Sequence, residues 1–280
     1  MTQRKGRISK TRALAMAATA AALAVLPAQA DLARLLDYLQ VGDHAMGSQI
    51  RKHEGIGKYE ESDLLVLNAT SSVPGMDVSR YQGNVNWQAA YNNGARFAYI
   101  KATERNNYVN PYFAQQYNGS YNVGMIRGAY HFAIPSATSG TVQANYFVDH
   151  GGGWSADGKT LPGALDIEYN PYSGGTCYGL SQQAMVNWIN AFSTRYYQRT
   201  GRYPTIYTST SWWSQCTGNL GNFSSTNPLW VARYSSSVGT LPYPWGIYTF
   251  WQFSDSGTFP GDQNRFNGAY SRLQVLARGG

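Results

Sequence analysis

The chain has 280 residues, with 22 lysine and arginine residues against 15 aspartate and glutamate residues and a formal net charge of +7. Five of the basic residues and none of the acids fall within positions 1–30, which leaves 17 basic and 15 acidic residues for the rest. The remaining basic residues are scattered and form no basic helix or stripe, so the charge pattern argues against a nucleic-acid partner.

The N-terminal 30 residues have the pattern of a secretory signal peptide. Five basic residues precede the uncharged apolar run Ala13–Leu26, and residues 27–30 (PAQA) offer an A-x-A cleavage site. A membrane-spanning helix would need about 20 apolar residues. We therefore expect cleavage after Ala30, a secreted extracellular chain, and no membrane attachment after cleavage.

Residues 31–74 differ from the rest of the chain in composition. They hold seven acids against four basic residues and are poor in the aromatic residues that are abundant later. Residues Asp31–Asp37 could form one short helix. We interpret 31–74 as a propeptide or N-terminal extension, the alternative being a helical appendage packed on the main domain. Residues 75–280 are long enough for one domain with a sizeable core.

The main domain alternates short apolar strands with helices. The clearest helix covers Ser181–Arg199, where Ser181 can cap the N-terminus and apolar residues recur every three or four positions. This alternation predicts an α/β fold with parallel strands, as a barrel or an open sheet. The predicted strands are Gly75–Val78, Arg96–Ala102, Arg127–Ala133, Ala164–Ile167, Tyr203–Thr208, Leu229–Ala232 and Tyr248–Gln252.

Cys177 and Cys216 are the two cysteines of the chain. In an exported protein, an even pair without neighbouring metal ligands is most simply a disulfide. The four histidines show no metal-ligand spacing, and we expect neither a metal ion nor a cofactor.

The carboxylates of the main domain are few and concentrated. Residues 75–280 contain eight acids, of which Asp77, Glu104, Asp166 and Glu168 lie at or just past the carboxyl end of a predicted strand. In a β/α barrel these ends open onto one face, where active sites are built. Asp166 and Glu168 are two apart, so both project to the same side and one pKa is raised.

A carboxyl group with a raised pKa suits the general acid of glycosidic cleavage. We assign this role to Glu168, whose longer side chain reaches further, and expect Asp166 to orient the substrate or stabilise positive charge. A lone D-x-E pair is otherwise compatible with solvated or capping acids. Aromatic residues favour a carbohydrate cleft, although most of them fill the core. Our candidates for stacking on sugar rings are the strand-end residues Tyr130, Tyr207, Trp230 and Trp251.

Several segments together resemble the Chalaropsis-type lysozymes, glycoside hydrolase family 25. The resemblance covers nearly all of residues 75–280, with the motifs in the expected order. The family usually has glycine after the motif KATE, whereas Arg105 and Asn106 follow here, which leaves the shape of that loop open. The matching motifs are GMDVSRYQG (75–83), FAYIKATE (97–104), GAYHF (128–132), ALDIE (164–168), PTIY (204–207), LWVAR (229–233) and Trp251-Gln252 followed by Asp262.

The resemblance implies an irregular, flattened TIM-like β/α barrel. It implies hydrolysis of the β-1,4 bond from N-acetylmuramic acid to N-acetylglucosamine in bacterial peptidoglycan. We expect the enzyme to act as a monomer. By motif, Glu168 is the expected acid and Asp166 assists the substrate N-acetyl group, an exception to the two-carboxylate nucleophile scheme. Asp77 and Asp262 complete the expected catalytic set, and Glu104 belongs to the expected substrate-binding set.

Three alternatives remain distinguishable by chemistry. A wall-binding lectin on the same barrel would have lost the acid, but Glu168 is present. A metal-dependent hydrolase or deacetylase would use Asp166, Glu168, Asp262 and His131, although one histidine is weak support for a zinc site. A chitinase would cut polymers that lack the lactyl group.

Overall fold

All seven predicted strands are present in the computed structural model, which describes residues 42–56 and 72–280. Most consist of β-branched and aromatic residues that pack well on a pleated surface. The strands are β1 (Ser72–Val78), β2 (Phe97–Glu104), β3 (Tyr108–Val109), β4 (Ile126–Phe132), β5 (Ala164–Asp166), β6 (Thr205–Thr208), β7 (Leu229–Ala232), β8 (Phe250–Ser254) and β9 (Asp262–Asn267).

The predicted helix is confirmed one residue further along, and the Ser181 hydroxyl accepts from the Ala184 backbone N–H at 3.2 Å. Among the described residues, no helix combines the length and apolarity needed to cross a membrane. The predicted signal peptide and the predicted helix Asp31–Asp37 lie outside the described residues. The helices are α1 (Ser48–Glu54), α2 (Trp87–Asn92), α3 (Phe113–Asn122), α4 (Gly140–Phe147), α5 (Gln182–Thr200), α6 (Thr210–Thr217) and α7 (Tyr270–Arg278).

The sheet closes into an eight-stranded mixed barrel, which confirms the predicted TIM-like architecture. The order is β1-β9-β8-β7-β6-β5-β4-β2, and β1 pairs with β2 to close the ring. All pairings in the ring are parallel except those of β9, which is antiparallel to β8 and β1. The barrel is irregular, because residues 233–249 connect β7 to β8 without a helix. The carboxyl ends of the parallel strands share one end of the barrel.

Aromatic rings fill the opposite end of the barrel. Tyr99 packs against Trp230 with ring centroids 4.7 Å apart, and Phe97 packs against Phe250 at 5.2 Å. Glycine is required beside these rings, since a Cβ on Gly75 would lie 2.4 Å from the Phe97 ring. Packed rings close this end of the barrel. An active site can therefore form only at the other end, where the carboxyl ends of the parallel strands lie.

The predicted disulfide joins Cys177, in the loop after β5, to Cys216 on α6, across a sequence separation of 39 residues. We expect the double variant Cys177→Ser/Cys216→Ser to lose about 4 kcal/mol of unfolding free energy, because the unfolded chain regains loop entropy. Turnover of the folded enzyme should fall much less. Denaturant titration and rate measurements at 25 °C test this, and equal unfolding free energies would contradict it.

Candidate active site

Asp166 and Glu168 form a buried pair of carboxyl groups at the carboxyl end of β5. Both side chains are fully buried. Burial and the neighbouring Glu168 charge raise the pKa of Asp166 well above its usual value. Burial also raises the pKa of Glu168 to about 8, although hydrogen-bond donors act in the opposite direction. The expected coupling of the two carboxyl groups is present, and the pair retains a proton near neutral pH.

The two members of the pair have different partners. Glu168 accepts backbone N–H donors from Gly47 at 2.7 Å, Gln49 at 3.1 Å and Ile50 at 2.8 Å, with both carboxyl oxygens engaged. Neither oxygen of Asp166 has a hydrogen-bond donor among the residues that the structure describes. This arrangement favours the negative charge on Glu168 and the proton on Asp166, because backbone N–H groups stabilise the ionised acid.

A glutamine joins the other two predicted acids. The Gln252 amide donates to Asp77 Oδ2 at 2.8 Å and to Asp262 Oδ2 at 3.0 Å, and Asn264 donates to Asp77 Oδ2 at 2.7 Å. Burial raises the pKa of Asp77 to about 6, against these two hydrogen bonds. Burial and then the Asp77 charge raise the pKa of Asp262 well above its usual value. The structure therefore brings together all four predicted catalytic acids, since Glu168 also raises the pKa of Asp262.

The four aromatic candidates lie in different places. The Tyr207 hydroxyl donates to Gln252 Oε1 at 2.6 Å, and the Tyr130 hydroxyl accepts from the Met46 backbone N–H at 3.2 Å, so both reach the acids' end. Trp230 is fully buried beneath them, with its indole N–H donating to Asn264 at 3.0 Å. Trp251 adjoins Gln252 on β8 and therefore points away from the barrel interior.

Glu104 belongs to a buried ion-pair cluster with Lys101. The Lys101 ammonium donates to Glu104 Oε2 at 2.7 Å and also pairs with the carboxylate of Asp43. Glu104 further accepts from the backbone N–H of His44 and from the hydroxyl of Tyr172, both at 2.9 Å. Burial opposes ionisation, but Lys101 and then His44 lower the pKa of Glu104 to about 2. Glu104 is thus an ionised acid held by the Lys101 ammonium and by hydrogen bonds.

The loop after Glu104 keeps a backbone conformation that usually needs glycine. Arg105 has φ 53°, in the left-handed region. Its guanidinium lies 4.1 Å from the centroid of the Tyr172 ring. An arginine therefore takes the glycine position of the resembling motif while retaining a turn that glycine favours.

His131 is not part of the site. Its Nδ1 lies 2.8 Å from the Thr103 hydroxyl and its Nε2 lies 2.9 Å from Gln143 Oε1. Burial lowers the pKa of His131 to about 4. The side chain lies between β4 and the outer helices, since it alternates with Tyr130 along the strand. The four residues of the metal-dependent alternative are therefore not brought together.

Four residues of this region were not predicted from the sequence: Lys101, Gln252, Asn264 and Tyr234. Lys101 stands among apolar residues of β2, two positions after Tyr99. Strand alternation therefore places its side chain on the same face of the strand as Tyr99. Gln252 follows Trp251 in a motif shared with glycoside hydrolase family 25, but no role had been assigned to it. Tyr234 donates to Gln252 Oε1 at 2.9 Å, and no sequence pattern identifies it.

The arrangement can donate a proton and stabilise developing positive charge. A buried carboxyl pair with raised pKa values supplies a general acid at neutral pH, and the adjoining acids can balance a cationic sugar. Buried Gln252 and Asn264 fix the positions of those acids through hydrogen bonds.

A model described as glycosyl hydrolases family 25 matches residues 76–262. Lysozyme M1 of Streptomyces globisporus is 45% identical over 277 residues, which cover 97% of this chain and 92% of that protein. An N,O-diacetylmuramidase of Chalaropsis sp is 52% identical over 212 residues, covering 74% of this chain and 100% of that protein. The solved structure of the bacterial lysozyme from Streptomyces coelicolor superposes with a TM-score of 0.72 at 50% identity, covering 75% of this chain and 98% of that one.

Proposed function

Because the chain belongs to glycosyl hydrolases family 25 and is a muramidase, we propose that it cuts the β-1,4 bond between N-acetylmuramic acid and N-acetylglucosamine. The observation that carries this proposal is the buried pair Asp166 and Glu168, whose raised pKa values keep a proton available. The reacting polymer is bacterial peptidoglycan.

In this proposal Glu168 is the general acid that protonates the glycosidic oxygen. It must carry a proton when the sugar binds, and burial favours the neutral form. Asp166 orients the substrate N-acetyl group so that its carbonyl oxygen attacks the anomeric carbon while the bond to the leaving sugar breaks. Water then opens the cyclic intermediate, with Glu168 accepting its proton. The protein's carboxylates thus act on the substrate's own nucleophile.

Asp77 and Asp262 complete the proposed catalytic set by stabilising the positive charge that develops on the sugar ring. Their shared contact with Gln252 keeps both near the site. Glu104, Tyr130 and Tyr207 are the proposed substrate contacts nearest the acids. Trp230 supports the cleft from below, and Trp251 points outward and is almost completely buried, with its indole N–H donating to the Arg233 carbonyl.

The basic and apolar leader supports secretion of this enzyme to the extracellular wall. We propose that it acts there as a monomer without a cofactor. Its substrate is insoluble and lies outside the cell membrane. Because no metal ion is proposed to take part, we expect a chelator to leave the rate of hydrolysis unchanged.

The bond specificity is tested by the sugar left at the new reducing end. Extended digestion of peptidoglycan by the full chain should release products with muramic acid at that end, with equal yield in the presence of chelator. Chitin is the matched substrate without lactyl groups and should be cut far more slowly. Glucosamine reducing ends, or faster cleavage of chitin, would replace this proposal with a glucosaminidase or a chitinase.

A further inference from the structure

Residues 42–56, called here the N-terminal segment, lie across the proposed active site. Met46 and Ile50 of this segment are almost completely buried against the barrel, at 0% and 1% exposure. The segment includes α1 and precedes β1 by the undescribed residues 57–71. Its burial is therefore a feature of the full chain.

The segment engages the proposed general acid directly. Its backbone N–H groups at Gly47, Gln49 and Ile50 are the donors that occupy both oxygens of Glu168. A glycosidic oxygen would need one of those oxygens within hydrogen-bond reach. These donors also favour the ionised form of Glu168, whereas a general acid must be protonated.

The N-terminal end of the segment contributes to the ion-pair cluster beside the site. The Asp43 carboxylate pairs with buried Lys101 and lies 2.9 Å from Arg80 Nε. His44 Nδ1 lies 2.9 Å from Glu104 Oε1. The segment thus contacts Glu104, a proposed substrate-binding residue, in place of substrate.

The other end is held on the far side of the cleft. The His53 ring stacks on the Tyr169 ring with centroids 4.3 Å apart, and Glu54 accepts from the Tyr169 hydroxyl at 2.9 Å. Glu54 also accepts from Ser209, and Arg51 pairs with Asp255. Contacts on both sides of Glu168 show that the segment bridges the site.

Gly47 is the tightest point of this contact. It has φ 79°, and its carbonyl accepts from the Tyr234 hydroxyl at 3.1 Å. A Cβ at this position would lie 2.0 Å from the Tyr234 hydroxyl oxygen and 2.5 Å from Gln252 Oε1. Gly55 has nearly the same φ, 74°, but a Cβ there meets nothing within 4 Å. The chain therefore supplies a matched control for displacing the segment.

We propose that the N-terminal segment is an autoinhibitor that occupies the substrate cleft and holds the full chain at low activity until the segment leaves. This inference rests on the proposed function, because it takes Glu168 and its neighbours as the place where glycan binds. Any change that separates residues 42–56 from the barrel then activates the enzyme. The glycan and the segment exclude one another.

The test compares Gly47→Val with Gly55→Val in the full chain. Both place valine at a glycine with positive φ, but only the first drives a side chain into Tyr234 and Gln252. Initial rates of peptidoglycan hydrolysis should be at least about tenfold higher for Gly47→Val than for wild type, because the competent fraction rises. Gly55→Val should match wild type. Equal rates for all three proteins would overturn the inference.

A second experiment tests the same inference without the valine variant, which could misfold. A recognition sequence for a specific protease, inserted between residues 56 and 72 of the full chain, allows the segment to be cut free after folding. Cutting should raise the rate by a similar factor, and an unchanged rate after complete cutting would overturn the inference.

Glycan binding separates this inference from the proposed function. Calorimetric titration with a soluble tetrasaccharide of alternating N-acetylglucosamine and N-acetylmuramic acid should show at least about tenfold tighter binding to Gly47→Val than to wild type. Tighter binding without hydrolysis by any form would support occlusion and defeat the muramidase assignment. Equal affinity would overturn occlusion, whatever the hydrolysis shows.

Discussion

Replacing Glu168 with glutamine is expected to lower kcat for peptidoglycan hydrolysis about a thousandfold, the typical contribution of a general acid. Glutamine keeps the size of the buried side chain but has no proton to give to the leaving sugar. Rates are best measured on enzyme with the N-terminal segment cut free, because glutamine cannot accept the segment's N–H donors at both terminal atoms. Comparison with otherwise unchanged cut enzyme then isolates the chemical step.

Asp149→Asn is the control for loss of a carboxylate. Asp149 is exposed and pairs with Arg199 at 2.6 Å, away from the four acids. Its activity should equal that of wild type. Thermal unfolding of both variants verifies the fold, and wild-type hydrolysis by a folded Glu168→Gln protein would remove Glu168 from its role.

Asp166→Asn is expected to lower kcat about a hundredfold, the scale of removing one group that stabilises charge in the transition state. The amide cannot take the negative charge that steadies the substrate N-acetyl group as it attacks. The KM should change less than kcat, because the effect concerns the reacting state more than the bound sugar. Steady-state rates on soluble glycan fragments separate the two constants.

The same variant should be at least as stable as wild type near neutral pH. Burial raises the pKa of Asp166 well above its usual value and so favours the neutral form, and none of the described residues donates to its oxygens, so a neutral amide loses no hydrogen bond there. A residue that costs stability and supports turnover is typical of active sites. A parallel loss of unfolding free energy and activity would instead make Asp166 a structural residue.

Helix α5 and seven of the strands were predictable because local sequence patterns identify them. Helix α5 follows from the three- and four-residue recurrence of its apolar residues after Ser181, and each of the seven predicted strands has an apolar face. Asp77, Glu104, Asp166 and Glu168 were predictable from their positions at strand ends, whereas Asp262 was expected only from the resemblance. Strand β9 was missed because its sequence DQNRFN is polar, with Gln263 and Asn264 buried through hydrogen bonds that hydropathy does not encode.

The contacts of the N-terminal segment were not predictable for a different reason. Its composition indicated an extension, but Glu168 is held by backbone N–H groups, which every residue except proline possesses. The space for Gly47 depends on Tyr234 and Gln252, which come from distant parts of the chain. Such long-range fits leave no local pattern in the sequence.

The position of β9 determines when the active site can first exist during folding. β1 pairs with both β2 and β9, and Asp77 lies opposite Asp262 in register. Pairings between such distant parts of a chain form late, because the entropy of closing the loop is lost before the contacts are gained. A nascent chain that already contains Asp166 and Glu168 still lacks the strand that closes the ring. The four acids of the site can therefore come together only after the last strand has been made.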